Sequence, residues 1–121
     1  MMTKKKTSIP EARVALYEKA LSAVPEVERK GAANPYTSLN GNMFSLLLGP
    51  EGRMALRLPT AARAAFLKKY KTQLFEAYGT VMPEYVAVPD ALLKKTAELQ
   101  KHFRVSYEYA GTLRPKPTKK R

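Results

Sequence analysis

A chain of 121 residues with 45% apolar side chains is the size of one globular domain, and this composition excludes an intrinsically disordered chain. The absence of cysteine excludes disulfides, thiolate nucleophiles and sulfur-ligated zinc, and it fits a reducing cytoplasm, the expected location. The formal net charge of +12 is concentrated at Lys4, Lys5 and Lys6 and at Arg114, Lys116, Lys119, Lys120 and Arg121, so the body between them is only mildly basic.

Residues 1–7 read as a basic, flexible N-terminus. The lysines are followed by Pro10, Glu11, Arg13 and Glu18 without an unbroken apolar run, which argues against a signal peptide and against a membrane span. Ser8 followed three residues later by Glu11, with Pro10 inside the first turn, predicts a capping box and the start of a helix. Val14, Tyr17, Leu21 and Val24 recur at helical spacing, and Pro25 closes that helix. Glu26 to Lys30 reads as a short polar strand.

From Tyr36 to Leu58 the pattern is three short strands. Asn40-Gly41 predicts a type I′ hairpin, and Gly49-Pro50-Glu51-Gly52 a second reversal. Met54, Leu56 and Leu58 alternate with Arg53, Ala55 and Arg57, which predicts an antiparallel meander with one buried face and one wet face. Pro59-Thr60 opens a second helix with Ala62, Phe66, Tyr70 and Leu74 on its stripe, ending towards Gly79. Met82 to Val88 reads as the last strand, with Pro83 suited to an edge or strand end. Pro89-Asp90 then opens one long helix whose stripe is Leu92, Thr96, Leu99, Phe103 and Tyr107, with Gly111 as its C-cap.

The expected fold class is therefore α+β: an antiparallel meander sheet with an N-terminal helix, a middle helix and a long C-terminal helix packed mainly on one face. Residues 8–111 form the single domain, and residues 112–121 a basic, proline-containing tail.

Tyr36, Asn40-Gly41, Met43-Phe44 and Met54-Ala55-Leu56-Arg57-Leu58 occur in an order that resembles the N-terminal domain of the TfoX/Sxy competence-regulator family. Ala62-Arg63-Ala64-Ala65-Phe66 is similar to the helix that follows there. Met82-Pro83-Glu84-Tyr85-Val86-Ala87-Val88-Pro89 is similar to the late strand leading into the last helix. The resemblance spans roughly residues 10 to 103 and lies in the pattern more than in identical words. It departs at Ala32-Ala33-Asn34-Pro35, where many members carry Met-Phe-Gly-Gly. The resemblance implies a small α+β domain used in regulation and brings no catalytic residues with it.

The residues themselves assemble no catalytic set. His102 is the only histidine and has no evident carboxylate partner in the sequence, no acidic pair is spaced as a dyad, and neither Ser38 nor Ser45 has a nucleophile-elbow context. No phosphate-cradling glycine loop, metal-ligand set or cofactor motif is present in the sequence, so no catalytic, metal or cofactor residue is expected. Two kinds of contact surface are expected instead. Arg53 and Arg57, on the face opposite Met54 and Leu56, are candidates for receiving carboxylates or phosphates. Lys68, Lys69, Lys71, Arg114 and Lys116 are candidate phosphate contacts. The expected function is a non-enzymatic regulatory or adaptor domain acting by protein association, with self-association as a homodimer one form of it and an unknown protein partner the other. The alternative is a nucleic-acid-associated protein that binds phosphate through its basic termini.

Overall fold

The computed structural model describes residues 9–31 and 33–115. Along the chain come α1 (Glu11–Leu21), β1 (Tyr36–Leu39), β2 (Asn42–Leu48), β3 (Arg53–Arg57), α2 (Thr60–Tyr70), β4 (Leu74–Ala77), β5 (Thr80–Val88), α3 (Asp90–Leu93) and α4 (Thr96–Thr112). The strands make one antiparallel sheet in the order β1-β2-β3-β5-β4, so the fold is α+β with N-terminal, middle and C-terminal helices.

Turn chemistry fixes the β1-β2-β3 meander. Asn40 and Gly41 have φ of 53° and 81°, the left-handed pair a type I′ hairpin needs. The Gly52 N–H donates to the Gly49 carbonyl at 3.0 Å and closes the second reversal. Between these turns β2 carries one extra residue, because Thr37 faces Ser45 whereas Ser38 faces Met43. The bulge lets Phe44 and Ser45 both contact the helices: Phe44 lies 5.8 Å from the ring of Phe103, and the Ser45 hydroxyl is 2.6 Å from that of Tyr17.

All the larger helices bury their apolar residues on one sheet face. Tyr17, Leu21, Phe66, Leu92, Leu93, Leu99 and Phe103 pack against Phe44, Leu47, Met54, Leu56, Leu58, Val86 and Val88. Within this core the hydroxyls of Tyr17, Ser45 and Thr37 are fully buried and satisfy one another, with Thr37 to Ser45 at 2.5 Å. Burial from water holds the Tyr17 phenol well above its ordinary pKa, against the smaller opposing effect of these hydrogen bonds.

Several expected elements differ in the structure. Ser8 of the expected capping box lies outside the described residues, and Pro10 is the N-cap of α1. The helix ends at Leu21, ahead of Pro25, and Val24 stays in the core because two further turns, Ala23 N–H to Ala20 and Val24 N–H to Leu21, extend its path. Residues 26–30 make no strand, since only Lys30 bridges Tyr36. Leu74 belongs to β4 rather than to the second helix. Lys71 adopts φ 52° after Tyr70, and the Thr72 N–H closes back to the Leu67 carbonyl at 3.1 Å, which stops α2. Tyr78 and Gly79, with φ of 53° and 77°, form a third two-residue hairpin that joins β4 to β5.

The expected long C-terminal helix is two helices. A break at Lys94 and Lys95 lets the adjacent Leu92 and Leu93 both enter the core, which one continuous stripe does not do. The stripe of α4 is Leu99, Phe103, Ser106 and Ala110. Gly111 lies inside α4, which continues to Thr112, and is not its C-cap.

Candidate functional site

The second sheet face has its own apolar cluster. Leu48, Ala55, Phe75 and Ala77 are buried, with Leu46, Met82, Tyr85 and Ala87 packed around them as half-buried neighbours. Every one of these residues belongs to a strand, and none comes from a helix. Register brings them together: Leu46 faces Ala55, Ala55 faces Ala87, and Leu48 faces Arg53 across neighbouring strands. The face expected to be wet is therefore charged at its margins and apolar at its centre. Ala55, between the two arginines, is fully buried.

The arginines have different surroundings. Arg53 is exposed, with its guanidinium 4.9 Å from the centroid of the Phe75 ring and Nη1 donating to the Glu76 carbonyl at 3.0 Å. That reach across β5 gives a partner to a β4 carbonyl at a place where the β4–β5 pairing shifts register between Leu74 and Glu76.

Arg57 is half-buried and held from several sides. Its Nε donates to Glu84 at 2.7 Å and its Nη1 to the Met43 carbonyl at 3.3 Å, while the rings of Tyr85 and Tyr109 lie 5.6 and 6.0 Å from the guanidinium carbon. Tyr85 also donates to the Met43 carbonyl, at 2.8 Å, so two side chains satisfy a carbonyl beside the β2 bulge. The Arg57 hydrogen bond holds Glu84 below the ordinary carboxylate range, against the opposing effect of burial. Burial works against the Arg57 charge, but the Glu84 hydrogen bond and the neighbouring Tyr85, Glu84 and Tyr109 outweigh it. Of the two candidates, Arg53 is the one that presents an open guanidinium to this face.

The lysine candidates lie on the other side of the sheet. Lys68 and Lys69 are exposed on α2, and Lys71 is its exposed left-handed C-cap. Arg114 is exposed just past α4, where its carbonyl accepts from Asn42 Nδ2 at 3.1 Å, and Lys116 lies outside the described residues. The arginines and the helix lysines do not converge on one surface.

The loop at Asn34 and Pro35 is tied to the sheet. The Gly49 N–H donates to Asn34 Oδ1 at 3.3 Å, and the Leu47 N–H to the Pro35 carbonyl at 2.8 Å. Gly31 sits at φ 84°, where an added Cβ would clash with the Asn34 carbonyl oxygen.

Phe75, Ala77 and Leu46 are contributors to this face that the sequence reading passes over. The unbroken run Leu46-Leu47-Leu48 signals a strand buried on both sides, because strict alternation would have placed a polar residue at one of those positions. Phe75 sits in a stretch read as helix, so its register could not be assigned.

Among the described residues, no group of three or more His, Asp or Glu side chains is placed to hold a metal ion, and no helix is long and apolar enough to cross a membrane. No family model, curated protein or solved structure matches the chain.

Proposed function

We propose that the chain is a non-enzymatic regulatory or adaptor domain, of the TfoX/Sxy N-terminal kind, working in the cytoplasm by receiving a segment of a partner protein on the sheet face opposite the main core. One observation carries this reading: an apolar cluster built from strands alone, with Leu46, Met82, Tyr85 and Ala87 half-buried at its surface and Arg53 exposed beside it. A hydrophobic surface with an arginine at its margin is the usual make-up of an association site. Charge complementarity sets the chemistry of the occupant. Arg53 uses one N–H for the Glu76 carbonyl, and a guanidinium has five, so an apolar segment carrying a carboxylate is the matching partner.

The test is a displayed-peptide selection against the full chain. Enrichment of peptides that combine leucine or aromatic residues with Asp or Glu, lost in Arg53→Glu, supports the reading. Enrichment of nothing, or of basic peptides, contradicts it. A discrete dimer in solution that Arg53→Glu dissociates would make the occupant a second copy of the chain. Nucleic-acid association through the basic groups is the alternative, and salt-sensitive DNA or RNA binding that is indifferent to Arg53→Glu would favour it.

A further inference from the structure

Tyr70 on α2 and Glu98 and His102 on α4 form a hydrogen-bonded chain on the helical side of the molecule, away from the face described above. The Tyr70 hydroxyl donates to Glu98 Oε2 and lies 2.9 Å from His102 Nε2. A phenol has one proton, and with that proton on the bond to Glu98, His102 must be the donor at Nε2. The His102 ring is held edge-on against Phe66, at 5.0 Å between centroids, so its direction is set by the core. The chain of donors therefore runs from His102 through Tyr70 to a carboxylate.

The charges around that carboxylate come from three places in the chain. Lys69 on α2 has its Nζ 3.9 Å from Glu98 Oε2, and Lys95 at the α3–α4 break also acts on Glu98. Lys69 and Lys101 act on His102. Lys69 and Lys95 thus act on the Glu98 charge and Lys69 and Lys101 on the His102 ring, and with Lys95 and Lys101 each three residues from Glu98 along α4 the site keeps a positive excess that a single carboxylate does not neutralise. A dianion with several acceptor oxygens fits the donors and the excess better than the carboxylate that is there.

We propose that Lys69, Tyr70 and Lys95, with His102 orienting the Tyr70 hydroxyl, form a binding site for a phosphomonoester dianion, in which Glu98 occupies the anion position of the ligand-free chain and gives it up to the phosphoryl group. Binding exchanges one carboxylate for one phosphoryl group on the same donors and makes or breaks no covalent bond. Lys69 is a phosphate candidate in the sequence; Lys95 and His102 join it and its neighbour Tyr70 only when α2 and α4 are packed together.

His102 is the only histidine, so its Cε1–H gives a single reporter signal in a proton–carbon correlation spectrum of the full chain. The probes are inorganic phosphate and a nucleoside 5′-monophosphate, each titrated at constant ionic strength, which separates the free ion from a phosphate borne on an organic group. Saturable displacement of the His102 signal by at least one of them is expected, with weaker binding in Lys69→Ala and in Tyr70→Phe. Glu98→Gln keeps an acceptor for Tyr70 but removes the competing charge, and it should bind about threefold tighter, the scale of a surface ion pair. A signal that moves no more than with added chloride overturns the proposal, as does a Glu98→Gln variant that binds more weakly. Saturable binding of unphosphorylated single-stranded DNA together with no response to either phosphate probe also overturns it. Thermal unfolding of each variant confirms that a lost response is not a lost fold.

Discussion

The guanidinium of Arg53 stacks over the ring of Phe75, 4.9 Å from its centroid, and so joins β3 to the edge strand β4 across β5. The two residues should separate under substitution. Phe75 is almost completely buried, and Phe75→Ala is expected to cost about 3 kcal/mol of stability. Arg53 is exposed, and Arg53→Ala should cost about 1 kcal/mol or less. Urea unfolding of the two variants checks the difference, and equal losses would mean that Arg53 is a structural residue rather than an open contact group.

The hydroxyl trio beneath β1 and β2 predicts an unequal pair of mutants. Ser45→Ala leaves both the Tyr17 and the Thr37 hydroxyl buried without their partner and should cost about 3 kcal/mol. Tyr17→Phe leaves Ser45 still bonded to Thr37 and should cost about 1 kcal/mol from the hydrogen bond. Chemical denaturation of the single and double mutants reads the coupling, which vanishes if the three groups act independently.

Stability should fall in two steps on acidification. His102 is held below its ordinary pKa of 6.5, by burial first and by Lys69 and Lys101 next, against an opposing effect of Glu98. The unfolded chain then binds the proton at higher pH than the folded one, so this contribution is complete above 6.5 and is lost as pH falls through the folded value. Glu84 is held below its ordinary 4.5 by Arg57, so its contribution is present above 4.5 and is lost as pH falls through its own folded value. His102→Gln should remove the first step. Glu84→Gln should reduce the second while costing about 1 kcal/mol at neutral pH, a modest figure because Glu84 is partly exposed. Some of the second step should remain, because Glu98 is also held low, chiefly by its hydrogen bond from Tyr70. Thermal melts across the pH range measure both effects.

Tyr78 occupies the same left-handed turn position as Asn40, with φ of 53° in each, yet it carries a bulky side chain that is 85% exposed. Tyr78→Asn should therefore stabilise the hairpin by about 1 kcal/mol, since asparagine suits that conformation and no buried packing is given up. A rise in the melting temperature confirms it, and a fall would show that the ring contributes contacts to the fold.

That hairpin also shows how far the sequence is legible. Asn40-Gly41 could be read directly because both residues favour positive φ, whereas Tyr78-Gly79 makes the same turn with a residue that gives no such signal. Without the turn, Leu74 continues the spacing of Phe66 and Tyr70, and β4 is absorbed into α2. The loss of β4 hides Phe75 and Ala77, and with them the apolar nature of the second face. The break at Lys94 and Lys95 is similarly silent, because both residues are good helix formers and the demand that splits the helix is the burial of Leu92 and Leu93 together. The Tyr70–Glu98–His102 chain was beyond reach for a different reason, as it depends on the packing of two helices whose relative placement no local pattern encodes.

The association face is tested most directly by an amide chemical-shift map of the labelled full chain on titration with a selected acidic, apolar peptide. The expected result is saturable shifts centred on Leu46, Ala55, Tyr85 and Ala87, absent in Arg53→Glu. Shifts centred instead on α1 or α4, or a map unchanged by the Arg53 substitution, would contradict the assignment of this face as the site of association.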